Sequence, residues 1–141
     1  MSTLGNAINA SASALAAERQ RIEVAVSNLA NAESTRSADG RPYRRREVVL
    51  ESMTFDPTSA GADVQATGVK VAAVLEDQTE FRKRYEPSHP DADADGFVSV
   101  PNVDVPEEMV DMLGAARAYQ ANLTAIGLIR DTLQRALELA K

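Results

Sequence analysis

The residues best placed to do chemistry lie in one short stretch, Asp91-Ala92-Asp93-Ala94-Asp95-Gly96. Asp at positions 1, 3 and 5 and Gly at 6 is the opening of an EF-hand calcium loop, and Val98 suits position 8. Position 12 is Asn102, where a bidentate Glu belongs. Pro87, Pro90 and Pro101 also block the flanking helices. The simpler reading is an acidic turn. It concentrates charge, since Asp91, Asp93, Asp95 and Asp104 supply four of the net six negative charges. A basic patch on a neighbouring copy, built from Arg41, Arg44, Arg45 and Arg46, would relieve that crowding. The same four arginines flank Tyr43, a pattern that can bind RNA, but Glu47 and Glu51 follow at once. A solvated strand face or an inter-subunit ion-pair patch fits them better.

His89 is the one histidine, and Ser88 precedes it. Adjacent side chains on an extended chain point apart, so the two cannot form a nucleophile–base pair. Without cysteine there is no thiol catalysis, disulfide or zinc-thiolate site. No glycine-rich phosphate loop is present, and Met109, Met112 and Tyr119 lie at helical spacing and read as core. No catalytic, cofactor or metal residue is assigned, and an enzyme is not expected. The net charge of −6 disfavours general nucleic-acid binding. No apolar run reaches 18 residues, so no membrane insertion is expected. Met1–Asn6 lacks a basic and an apolar region, so a cleaved secretory signal is not expected either.

The elements that carry these residues follow from periodicity. The 141 residues contain 4% aromatics, which favours a helix-rich chain packed by aliphatic and Ala side chains. Residues 3–32 are Ala-rich and Pro-free, with Ile8, Leu15, Ile22 and Leu29 seven apart and Leu4 and Val26 beside them. Asp104-Val105-Pro106-Glu107-Glu108 opens a second helix with an Asp cap, Pro in the first turn and acid beside it. Its stripe runs Met109, Met112, Ala116, Tyr119, Leu123, Ile126, Arg130, Leu133, Leu137 and Ala140, alternating three and four. Between the helices, strands are expected at 43–51, near Val69–Leu75, at Phe81–Tyr85 and at Phe97–Val100. Residues 54–67 have a loop composition. The predicted fold is α+β: two long antiparallel coiled-coil-like terminal helices, 1–32 and 105–141, around a loop and small antiparallel β module, 33–104. Narrow stripes serve few neighbours. The pattern leaves open a monomeric hairpin with a β cap and a protomer that completes its helix packing on other subunits.

Two stretches carry a family resemblance. Ser27-Asn28-Leu29-Ala30-Asn31-Ala32, followed by Thr35 and Arg41-Pro42-Tyr43-Arg44, is similar to the N-terminal signature of bacterial flagellar rod and hook proteins. In place of the common Thr-Pro-Gly-Tyr form stands a longer connection from Thr35 to Tyr43. The second runs from Tyr85 through His89-Pro90-Asp91 and Gly96 to Pro101-Asn102-Val103. It continues through Glu107–Met112 and Ala116-Arg117-Ala118-Tyr119-Gln120-Ala121-Asn122. It resembles the C-type flagellar basal-body rod proteins, subunits of the proximal rod. The resemblance implies a structural, non-catalytic subunit. Such a subunit passes through the flagellar type III export apparatus and assembles helically with copies of itself and other rod proteins in the periplasm. Basal-body ring and export components are implied partners. It favours the protomer reading, with a non-polymeric helical adaptor or export chaperone as the alternative.

Overall fold

The structure is a computed structural model that describes residues 3–55 and 67–139. Helix α1 spans Thr3–Ala30, strand β1 Arg46–Thr54, β2 Thr67–Glu76, β3 Arg82–Tyr85, β4 Phe97–Val100, and helix α2 Val105–Leu139. α1 stops where Asn31 folds back, its backbone N–H and its side-chain amide both donating to the Ser27 carbonyl (3.1 and 2.8 Å). That local hydrogen bonding competes with another helical turn. At the start of α2 the Asp104 carboxylate accepts from the Glu107 N–H (3.4 Å), and Pro106 and the acidic Glu107 and Glu108 occupy the first turn.

The four strands form two separate antiparallel pairs. β1 and β2 run from Arg46↔Glu76 to Thr54↔Thr67, with a bulge at Val49/Leu50. Thr54 and Thr67, expected in a loop, close this ladder. The centre of the expected loop, 56–66, lies outside the described residues. β1 starts at Arg46, three residues later than expected, because Tyr43, Arg44 and Arg45 are drawn into tertiary hydrogen bonds. The β1–β2 hairpin packs on α1. Gly68 permits this contact: a Cβ there would stand 2.3 Å from the Phe55 ring and 2.6 Å from Ser13 Oγ. The Val69 N–H donates to the same Ser13 Oγ (3.1 Å). β3 and β4 pair from Arg82↔Val100 to Tyr85↔Phe97.

α1 and α2 pack lengthwise, the C-terminal end of α1 meeting the N-terminal end of α2, so the pair is antiparallel. The buried apolar residues are small or few: Ala17, Ala25, Tyr43, Val98, Val103 and Ala115. Of the α1 stripe, Ile8, Leu15, Ile22 and Leu29 are half-buried, while Leu4 and Val26 are exposed. Of the α2 stripe, Met112, Tyr119, Ile126 and Leu133 are half-buried, while Met109, Ala116, Leu123 and Leu137 are exposed.

Candidate functional site

Where the two helices meet the hairpin, a polar hub fills the space an apolar core would otherwise occupy. Asn28 is its first member, with its side-chain amide fully bonded. Nδ2 donates to the Glu108 carboxylate and to the Arg46 carbonyl (both 2.9 Å). Oδ1 accepts from the Tyr43 hydroxyl (2.9 Å) and the Arg46 N–H (3.0 Å). Glu108, only 2% exposed, also accepts from Arg45 Nε at 2.5 Å. Arg45 pairs with Glu47 as well, and the Asp77, Glu107 and Asp111 carboxylates stand 3.7–3.8 Å from its guanidinium. Burial opposes the charge on Arg45. The hydrogen bonds and negative charge of Glu108 and Glu47 outweigh it, so its pKa is raised.

Asn102 is the fourth buried polar member. Its Oδ1 accepts from the Arg45 N–H (2.9 Å), and its Nδ2 donates to the Asp77 carbonyl (3.2 Å) and Thr79 Oγ1 (2.8 Å). The Asp77 pKa is lowered, first by the Thr79 N–H bonded to its carboxylate. The residue at position 12 of the EF-hand-like pattern thus belongs to the hub. The hub joins α1, the start of β1, the β2–β3 connection and the start of α2. A buried charge pair with its remaining valences filled resists the loss of either partner far more than it stabilises against an apolar replacement.

The four arginines do not form one patch. Arg44 lies 4.4 Å from the Phe81 ring centroid and donates to the Asp77 and Thr79 carbonyls, and Arg46 lies over the Tyr43 ring at 5.7 Å. Arg41 and Arg46 are exposed, Arg44 is half-buried, and Arg45 is buried. This corrects the reading of a solvated face or an inter-subunit patch for Arg45, whose guanidinium the chain's own carboxylates take up, while Arg41, Arg44 and Arg46 still line one surface cleft.

The acidic loop is organised by its own chain. Asp91 accepts from Thr35 Oγ1 (2.9 Å) and pairs with Arg36 (2.7 Å). Its N–H donates to His89 Nδ1 (3.1 Å). Asp93 Oδ1 accepts from the Asp95 and Phe97 N–H groups. Gly96 turns the chain at φ 82°, a left-handed conformation open to glycine, under the Tyr85 ring. Within the chain, Arg36 supplies the counter-charge for Asp91. Among the described residues, no group of three or more His, Asp or Glu side chains is placed to hold a metal ion.

Pro101 and Val103 are buried beside Asn102; Pro90, Gln120 and Ala121 are exposed, Ala30 is exposed, and Asn31, Thr35 and Asn122 are half-buried. Sequence reasoning singles out Asn28, Tyr43 and Asn102 by resemblance. It passes over Arg45 and Glu108 as hub residues. An Arg in a basic run and a Glu in a first helical turn both have ordinary surface explanations. No helix among the described residues is long and apolar enough to cross a membrane.

The comparisons with known proteins match both ends of this architecture. Residues 8–36 match the family model described as flagella basal body rod protein, and residues 94–139 the one described as flagellar basal body rod FlgEFG protein C-terminal. An axial flagellar protein, with its helical ends as the shared parts, is thus the class. Curated relatives cover nearly the whole chain. The flagellar basal-body rod protein FlgC of Salmonella typhimurium is 44% identical, over 96% of this chain and 97% of its own. That of Bacillus subtilis is 40% identical over 99% of both, and that of Aquifex aeolicus 36% over the full length of both. The chain belongs to the FlgC family of flagellar basal-body rod proteins. It is a structural component of the basal-body rod, and its partners are other rod components and copies of itself. A non-polymeric adaptor or chaperone is not favoured.

Proposed function

We propose that this subunit polymerises helically through the faces that its own fold leaves uncovered, and so helps to build the proximal, periplasm-crossing part of the rod. The observation that carries the reading is the exposed apolar stripe on α2. Met109 and Leu123 are each 54% exposed and Leu137 66%, beside the stripe that packs on α1. Leu4 and Val26 of α1 extend the apolar surface. A heterologous contact between such faces gives an open helical filament rather than a closed ring. The work of the chain on this reading is mechanical, with no catalytic step, and the rod carries torque through many such helix contacts. Delivery through the flagellar type III export apparatus, and seating against basal-body ring components, complete the proposal.

Leu123→Asp tests it. The side chain is exposed, so the isolated chain should keep its stability to within about 0.5 kcal/mol. In the rod the charge would enter a packed interface, and basal-body yield and motility should be lost. Normal motility with Leu123→Asp would reject the stripe as an assembly face.

A further inference from the structure

α2 carries two overlapping stripes with three-four spacing. The one turned to α1 runs Glu108, Met112, Ala115, Tyr119, Asn122, Ile126, Ile129 and Leu133, buried or half-buried throughout. The one beside it runs Met109, Met112, Ala116, Tyr119, Leu123, Ile126, Arg130 and Leu133. They share four residues and are related by a helix rotation of about 50°, half the step between successive residues. Apolar burial alone favours the second stripe facing α1. It would place Met109 and Leu123 inside in place of Glu108 and Asn122, against the exchange of Ile129 for Arg130. The structure does the reverse: Ala115 is 1% exposed and Leu123 54%. The buried apolar residues of α1 are the small Ala17 and Ala25, and its larger Ile8, Leu15, Ile22 and Leu29 are only half-buried, so side-chain interlock opposes rotation weakly.

We infer that Glu108, gripped by Asn28 and Arg45, is a positioning residue that selects which stripe of α2 faces α1 and so keeps the more apolar one available outside. The grip is directional. One carboxylate oxygen takes the Asn28 amide from α1 at 2.9 Å, and the other takes Arg45 Nε at 2.5 Å. Turning α2 toward the alternative stripe would withdraw Glu108 and leave the Asn28 amide and the buried guanidinium short of a partner. A polar group at one seam position, fixing the arrangement of an otherwise permissive helix pair, is the best-attested role for such a buried residue. The value of an outward-facing apolar stripe rests on the proposed assembly role; the selection itself is a property of the isolated chain.

The chain has no cysteine, so single reporters at Ala115→Cys and Ala116→Cys read the rotation directly through their rates of thiol modification. With the hub intact, the thiol at 115 should react about a hundredfold more slowly than that at 116, because it is exposed only by local opening. Adding Arg45→Met and Glu108→Leu together replaces the pair by apolar side chains. The ratio should then fall to about threefold or reverse, with helix content retained. Glu108→Gln keeps only one of the two acceptor oxygens and sets an amide donor against the other donor, so its ratio should fall between those of the wild type and the double variant. Should the double variant fail to fold, Glu108→Ala decides alone, because it leaves Arg45 its other carboxylates; its ratio should also collapse. A ratio that stays near a hundredfold in a folded Glu108→Ala or double variant overturns the selector and leaves the assembly reading intact. A collapsed ratio with normal motility overturns the assembly reading and leaves the selector standing.

Discussion

Two asparagines on α1 describe the two ends of the helix pair. Asn28, at the hub, has all four of its side-chain hydrogen-bonding positions filled by residues from three other parts of the chain. Asn6, near the start of the helix, has its Oδ1 buried without a hydrogen-bond partner among the described residues. Beyond the hub the seam relies on half-buried aliphatic residues such as Ile8, Leu15, Ile126 and Leu133. A filled polar site specifies one geometry, because any displacement breaks several bonds at once; an orphaned carbonyl and a smooth apolar seam specify little. The subunit is thus fixed at one end of its helices and adjustable at the other.

The harshest way to break this contrast is Glu108→Leu. It removes the one fully buried partner of the Arg45 guanidinium, leaving it the more exposed carboxylates of Glu47, Asp77, Glu107 and Asp111, and should cost about 3 kcal/mol, read from the urea midpoint. Combining it with Arg45→Met should recover most of that loss. A single variant as stable as the wild type would mean that the hub contributes nothing to fixing that end. Asn28→Ala comes next. It leaves Glu108, Tyr43 and the Arg46 backbone each short of a bond, for an expected loss of about 2–3 kcal/mol by chemical denaturation. Asn6→Leu sharpens the comparison from the other side. Removing an unpartnered buried carbonyl should raise stability by about 1 kcal/mol, and a loss of similar size would show that Asn6 fixes its end of the helix as Asn28 fixes the other.

The smallest expected effect is on acid stability. The folded-state pKa of Asp77 is lowered, chiefly by the Thr79 N–H. Its contribution is therefore present above the ordinary aspartate value of 3.8 and is lost as pH falls through the depressed folded value. Asp77→Asn keeps an acceptor for that N–H and does not titrate. Its unfolding midpoint should fall less steeply with acidification below pH 3.8 than that of the wild type. Parallel slopes would remove Asp77 from the acid response.

The two ends of the helix pair are not equally legible in the sequence. Long helices, the Asp104 cap and strands at Val69–Leu75 and Phe97–Val100 follow from periodicity and cap chemistry, which act over a few residues. The α2 stripe expected from spacing sits one position round from the face that meets α1. Three-four spacing over Ala, Leu and Ile has two solutions here, and a hydrophobic count penalises the one containing Glu108. What breaks the tie is the meeting of residues 28, 45, 102 and 108, and no local window contains all four. The arginine run misleads for the same reason: four closely spaced cations find three kinds of partner only once the chain has folded. The acidic loop is legible as a turn, but its tie to Thr35 and Arg36 across the chain is not.

The seating of the hairpin at Gly68 has a mechanical consequence. The hairpin touches α1 closely at Ser13, where no Cβ fits, and is bonded to it again at Asn28 through Arg46. Between those points α1 is a beam fastened to a splint over about 22 Å, and flexing it there means shearing a hydrogen-bonded ladder. The splinted span can therefore transmit force as a rigid strut.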